Sequence, residues 1–347
     1  MSRSAIALAL AVVLVAAVVI GTGAYVPGAS PDAVEDPRPE AVLSSPTAEP
    51  TATIRPTSTA TALPTATATV TATASARPTA TVAPGASAKE ALYREIVTQY
   101  LGNLPGTFGV AIKDLKTGET VLINPDRPFP AASLYKLSLT YEVLREAKAG
   151  NFSLKTLMDI TEADMAEAEF DEKLVPGMSV TIDRGLWFLI TLSSNSASAA
   201  LQHYVNWADM NEGMRELGLV NTRMAGDPTE QKYGDWRDEL ASTIPREMLR
   251  FFETLYHQQL LDQASSEEMM YLLRHQQIGD RLSYNLPEGV VMAHKTGNLS
   301  GTINDAGIIF GPETDLYVGM LSQGADYEQT TQALRDLGRA LYDAANE

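Results

Sequence analysis

The 347-residue chain has no cysteine, which excludes disulfides and thiolate-bound zinc. Histidine is nearly as scarce. His203, His257, His275 and His294 are scattered without H-x-H or H-E-x-x-H spacing. That pattern argues against a metal site and against a histidine-based triad, and each reads as a surface or half-buried structural histidine. Bases are in deficit as well, 26 Lys and Arg against 43 Asp and Glu, for a net charge of −17. Residues 1–88 hold five acids and four bases, so 38 acids and 22 bases, a balance of −16, belong to residues 89–347. Such a surface is a poor partner for nucleic acid. An anionic substrate must therefore be met by local cations that overcome the field of the whole domain.

What is present first is an apolar run. After a short start carrying Arg3, Ala5 to Ile20 run without a polar residue, and Gly21 to Val26 continue without a charge. Spanning a bilayer takes about 20 apolar residues, so residues 1–26 fall between a long signal peptide and a short membrane anchor. With no cysteine after it, the run is not a lipoprotein signal. The cationic start favours export of everything downstream, so the expected location is extracytoplasmic, either anchored by this segment or secreted, and this segment is the chain's only expected contact with membrane. Residues 27–88 are dominated by Ala, Thr and Pro, as in Thr65-Ala66-Thr67-Ala68-Thr69. They offer almost no large apolar side chains to offset ordering entropy and read as a disordered stalk, reaching on the order of 45 Å as a random coil.

A folded domain is expected over residues 89–347. Leu92, Tyr93, Ile96, Val97, Tyr100 and Leu101 recur at helical spacing. Phe108 to Lys113 and Glu119 to Asn124 read as strands joined through Lys116-Thr117-Gly118, and Ala306 to Phe310 and Leu316 to Leu321 as a second pair around Gly311-Pro312. Leu334, Leu337, Leu341 and Ala344 lie on one face of a closing helix. Strands near both ends with helices outside them predict one antiparallel sheet assembled from the two termini. The middle, about 133–278, is mostly helical by periodicity and forms a second lobe.

Three short motifs carry the chemistry. Ser133-Leu134-Tyr135-Lys136 places a lysine one helical turn beyond a serine, on the same face. A serine is a weak nucleophile near neutral pH without such a partner. Ser193-Ser194-Asn195 and Lys295-Thr296-Gly297 follow in order. Lys116-Thr117-Gly118 and Ser283-Tyr284-Asn285 repeat two of the patterns outside that order and receive no role.

The ordered series S-x-x-K, S-x-N, K-T-G resembles class A β-lactamases and penicillin-binding proteins, and the resemblance covers essentially all of residues 89–347. It implies an α+β fold of two lobes, an antiparallel five-stranded sheet flanked by helices plus an all-helical lobe, with the site between them. It implies a serine hydrolase needing no cofactor or metal, monomeric, that opens β-lactam rings through an acyl-enzyme on Ser133. Lys136 then manages the Ser133 proton, Ser193 passes a proton to the departing nitrogen, and Asn195 binds the substrate amide and Lys136. Lys295 and Thr296 meet the substrate carboxylate, and the N–H groups of Ser133 and Asn298 form the oxyanion hole. The alternatives are a slow D-Ala-D-Ala peptidase-like protein acting on peptidoglycan stem peptides and a non-catalytic cell-wall module.

Two departures from the family pattern stand out. Ser194 occupies the place usually held by Asp. The deacylating E-x-x-L-N loop is replaced by Asp227-Pro228-Thr229-Glu230-Gln231-Lys232-Tyr233-Gly234, where Glu230 is the candidate activator of the deacylating water and Glu239 a second.

Overall fold

The computed structural model describes residues 87–165, 174–227 and 232–347. The apolar segment 1–26, nearly all of the Ala/Thr/Pro stretch and Glu230 lie outside the described residues. Among the described residues no helix is long and apolar enough to cross a membrane.

Helix α1 (Ala88–Leu101) begins with a reciprocal cap. Ser87 Oγ accepts from Glu90 N, and Glu90 Oε2 accepts from Ser87 N, each at 3.1 Å. Two amide groups that a first helical turn leaves without partners are thereby satisfied. Strands β1 (Thr107–Asp114) and β2 (Thr120–Ile123) form a hairpin. Its turn is tied by Asp114 Oδ1, which accepts from the N–H groups of Lys116 and Thr117. This accounts for the first K-T-G as a turn element.

A short strand β3 (Phe129–Pro130) then leads through a 3-10 turn (Ala132–Leu134) into α2 (Tyr135–Lys148). Every residue of α2 from Lys136 to Leu144 is buried, as expected of a helix surrounded by its own domain. The helical lobe continues with the ribbon β4 (Leu157–Asp159) and β5 (Ser179–Thr181), then α3 (Ile182–Thr191), α4 (Asn195–Leu201) and α5 (Trp207–Glu216). Strand β6 (Ser242–Thr243) returns to pair with β3. Helices α6 (Pro245–Tyr256) and α7 (Gln263–Arg274) precede β7 (Met292–Leu299), β8 (Thr302–Ile309), β9 (Leu316–Gln323) and α8 (Tyr327–Asn346).

The main sheet is antiparallel in the order β2-β1-β9-β8-β7, the five-stranded sheet built from both ends of the domain that was expected. Period-two alternation sorts its side chains between two cores. Val110, Ile112, Val318 and Met320 join Tyr93, Leu334, Leu337 and Leu341 under α1 and α8. Ala111, Tyr317 and Leu321 point the other way, into the core shared with α2, α3, α6 and α7. β7 closes the sheet at one edge, and the 3-10 turn packs against it.

One expectation is corrected here. His294 is neither at the surface nor half-buried: it is 2% exposed and shares a 2.8 Å hydrogen bond from Nδ1 with Asp305 Oδ1. A polar ring is accommodated at that depth because a buried carboxylate on the neighbouring strand meets it.

Candidate active site

The approach to Ser133 is pinned before it reaches the helix. β3 pairs with β6, and Ala131 N donates to Ala241 O at 2.8 Å. The next residue, Ala132, has φ = 48°, a left-handed conformation that costs an L-residue roughly 1–2 kcal/mol. The turn closes with Leu134 N donating to Ala131 O at 3.1 Å. Ser133 emerges half-buried, while Lys136, one turn on, is fully buried.

Ser193, between α3 and α4, also takes a left-handed conformation, with φ = 57°. In this geometry its carbonyl and its hydroxyl both accept from lysine. Lys136 Nζ donates to Ser193 O, to Ser193 Oγ at 3.3 Å and to Asn195 Oδ1 at 2.8 Å. Lys295 Nζ, from β7, donates to the same Ser193 Oγ at 2.9 Å and to Thr296 O at 2.8 Å. The non-family Ser194 has a local task. Its Oγ accepts from Ala197 N at 2.9 Å and caps α4, the duty an Asp at this position also performs.

Two buried lysine side chains meet on one hydroxyl, an unusual environment for charge. Burial pushes the Lys295 ammonium well below lysine's ordinary value, Lys136 and then Arg281 add repulsion, and Asp305 opposes them. Arg281, 2% exposed, has no counterpart in the sequence motifs. Its Nη1 donates to Gly297 O at 3.0 Å and Asn304 O at 2.7 Å, and Nη2 reaches Asn298 Oδ1 at 3.3 Å. No local pattern marks Arg281, because its partners lie 16 to 23 residues away.

The glycine of the third motif is explained by proximity. A Cβ on Gly297 would stand 2.9 Å from Ala131 O, 3.1 Å from Ala132 Cβ and 3.2 Å from Ser133 N. β7 can therefore lie directly against the Ser133 turn only without a side chain there.

Structure thus brings together Lys136, Ser193, Asn195 and Lys295 by direct bonds, with the Ser133 turn against the same strand. Thr296 is buried and Asn298 exposed on β7. In the loop that follows α5, the described aspartates are engaged locally. Asp227 accepts from Asn211, Asp235 from Arg237, and Asp238 from the N–H groups of Tyr233 and Gly234. Glu239 is exposed.

The beta-lactamase enzyme family matches residues 91–345. The chain belongs to that family. Among curated relatives, it is 26% identical over 221 residues to Beta-lactamase VEB-1 of Pseudomonas aeruginosa, covering 60% of this chain and 74% of the relative. It is 25% identical over 267 residues to Extended-spectrum beta-lactamase PER-1 of the same organism, covering 72% and 85%. A solved beta-lactamase from Sphaerobacter thermophilus superposes with TM-score 0.66 at 26% identity, over 74% of this chain and 97% of the other. PBP-A shares the fold with TM-score 0.64 at 21% identity, over 73% and 95%. The family and the two-lobe α+β fold expected from the ordered motifs are both borne out.

Proposed function

We propose that this member of the beta-lactamase enzyme family is a serine hydrolase that opens β-lactam rings through an acyl-enzyme on Ser133. The observation that carries the reading is the convergence of Lys136 and Lys295 on Ser193 Oγ, beside the Ser133 turn. In this reading Ser133 Oγ bonds to the β-lactam carbonyl carbon as the ring C–N bond breaks. Lys136, in its free-amine form, takes up the hydroxyl proton and passes one on to Ser193, which delivers its own to the departing nitrogen. The carbonyl oxygen charge is met by the N–H groups of Ser133 and Asn298, each such donor being worth about 2.7–4 kcal/mol. Lys295 and Thr296 receive the substrate carboxylate, and Asn195 its amide. Local cations therefore offset a domain that is otherwise strongly acidic. Water activated by Glu230, or by Glu239, then releases the product and frees Ser133. Residues 1–26 export the chain and 27–88 hold the domain away from the membrane.

A second reading keeps the acylation and loses the release: a penicillin-binding protein acting slowly on peptidoglycan stem peptides. It is favoured by the loop, whose described Asp carboxylates are spent on loop and α5 partners. Intact mass and antibiotic loss, followed together after benzylpenicillin is added to the full chain, separate the two. A transient adduct with rapid loss of penicillin supports hydrolysis, and a long-lived adduct supports the second reading. An adduct that persists in Ser133→Ala, or none at all in the wild type, overturns both.

A further inference from the structure

We propose that Asn304 is the positioning residue that holds the nucleophile turn in its left-handed geometry. The inference rests on the reading of Ser133 as the nucleophile. Asn304 lies on β8 and is fully buried. Its Nδ2 donates to Pro130 O at 2.9 Å and to Ala131 O at 3.2 Å. Its Oδ1 accepts from Ser322 N on β9 at 2.9 Å, and its own carbonyl accepts from Arg281.

This is a built junction in the sheet. The β8–β9 ladder pairs Ile309↔Leu316 through Asp305↔Met320. Beyond that pair, side chains replace the backbone partners. Ser322 Oγ accepts from Ile303 N at 2.7 Å and donates to Ile303 O at 2.8 Å, while Asn304 Oδ1 takes the Ser322 N–H. Buried backbone groups must be paired, so this exchange keeps the sheet satisfied. It also leaves the Asn304 amide N–H groups for the segment crossing over β8.

What those N–H groups hold is decisive for Ser133. The Ala131 carbonyl belongs to the peptide plane between Ala131 and Ala132, and the orientation of that plane is set by ψ of Ala131 and φ of Ala132. Pinning Ala131 O therefore pins the φ of 48° at Ala132. Within the turn that carbonyl also accepts from Leu134 N, three residues on. An alanine released from such a constraint prefers the right-handed region by about tenfold or more. Rotating that plane displaces the Ser133 N–H and hydroxyl from β7. The bare Cα of Gly297 leaves Ala131 O room, but it supplies no donor.

The test compares Asn304→Asp, which keeps an acceptor for Ser322 N but loses both donors, with Asn304→Ala. Asn304→Asp retains side-chain volume and serves if the alanine variant does not fold, as judged by its thermal transition. Adduct formation from benzylpenicillin is timed by intact mass on the full chain. The expected result is a drop of about tenfold or more, with most of the loss recovered when Ala132→Gly is added, because glycine enters the left-handed region without penalty. A purely structural role for Asn304 lowers the unfolding midpoint without being rescued at Ala132. A rate within about twofold of wild type, or a loss that Ala132→Gly does not recover, overturns the inference. If wild type forms no adduct, the reading of Ser133 falls, and a crystal structure of Asn304→Asp decides the inference alone. Ala132 at negative φ supports it; Ala132 still left-handed overturns it.

Discussion

Lys295 Nζ donates to Ser193 Oγ at 2.9 Å, joining β7 to the α3–α4 turn across 102 positions of chain. Lys295 is a buried cation whose proton is weakly held. Burial, then Lys136, then Arg281 push it well below 10.5. The ammonium is the form that donates to Ser193 and attracts a carboxylate. As pH rises through the depressed value that form is lost, so the acylation rate should fall on an alkaline limb lying below lysine's ordinary range. Lys295→Arg, which stays charged, should remove that limb even where it slows the reaction. Adduct formation timed from about pH 6 to about pH 11 checks this. A limb unmoved by the substitution assigns the titration to another group.

Gly297→Ala should impair acylation and destabilise the domain together. The added Cβ meets a backbone carbonyl at 2.9 Å and the Ser133 amide nitrogen at 3.2 Å, neither of which is the far end of a flexible side chain. Overpacking of this kind costs typically about 1–3 kcal/mol. Urea unfolding and adduct timing on the same sample should both move, and an unchanged adduct rate would show that β7 does not brace the turn.

At Ser194 the expectation concerns stability rather than chemistry. Ser194→Ala removes the acceptor for Ala197 N and should cost about 1 kcal/mol. Ser194→Asp, which restores the family's usual residue, keeps a capping oxygen and should retain the wild-type unfolding midpoint. Equal midpoints for the alanine and aspartate variants would show that the cap contributes nothing.

Asp114 gives an acid-side prediction. Burial pushes its carboxyl up, but Lys89 Nζ at 2.8 Å, Thr314 Oγ1 at 2.7 Å and Thr117 N at 3.0 Å outweigh that and hold it far below the usual carboxylate range. The unfolded carboxyl takes up a proton near pH ~4 while the folded one does not. This stabilisation is therefore complete above about pH 4 and is lost as pH falls toward the folded value. Asp114→Asn should lower stability at neutral pH by about 1–3 kcal/mol, with Lys89 partly exposed and its share screened. It should also flatten the decline below about pH 4. Parallel stability curves for the two proteins across that range would place the acid sensitivity elsewhere.

How much of this was legible in the chain differs by residue. Ser133 and Lys136 share a helix face because they are three positions apart, and the mostly apolar run from Phe108 to Lys113 reads as a strand. These are local consequences of backbone geometry. The strand limits drifted by a few residues. β8 begins at Thr302 rather than Ala306, because Thr302, Asn304 and Asp305, polar residues at its start, are buried against partners from distant segments. Ser194 reads as a departure from a pattern until its bond to Ala197 N shows a helix cap.

The ordered motifs by themselves determined the family, the two-lobe fold and the four side chains that meet in the site, since motif spacing and side-chain periodicity are properties of the linear chain. Tertiary structure alone decided that Lys136 and Lys295 share one hydroxyl, that Arg281 and Asn304 stand behind the site, and that Gly297 must be bare. Each depends on segments tens of residues apart being pressed into contact, and no local period encodes such a contact. The same packing that buries Lys295 against Lys136 weakens its hold on a proton, so the chemistry expected of Ser133 is set by charges the motifs name but do not place.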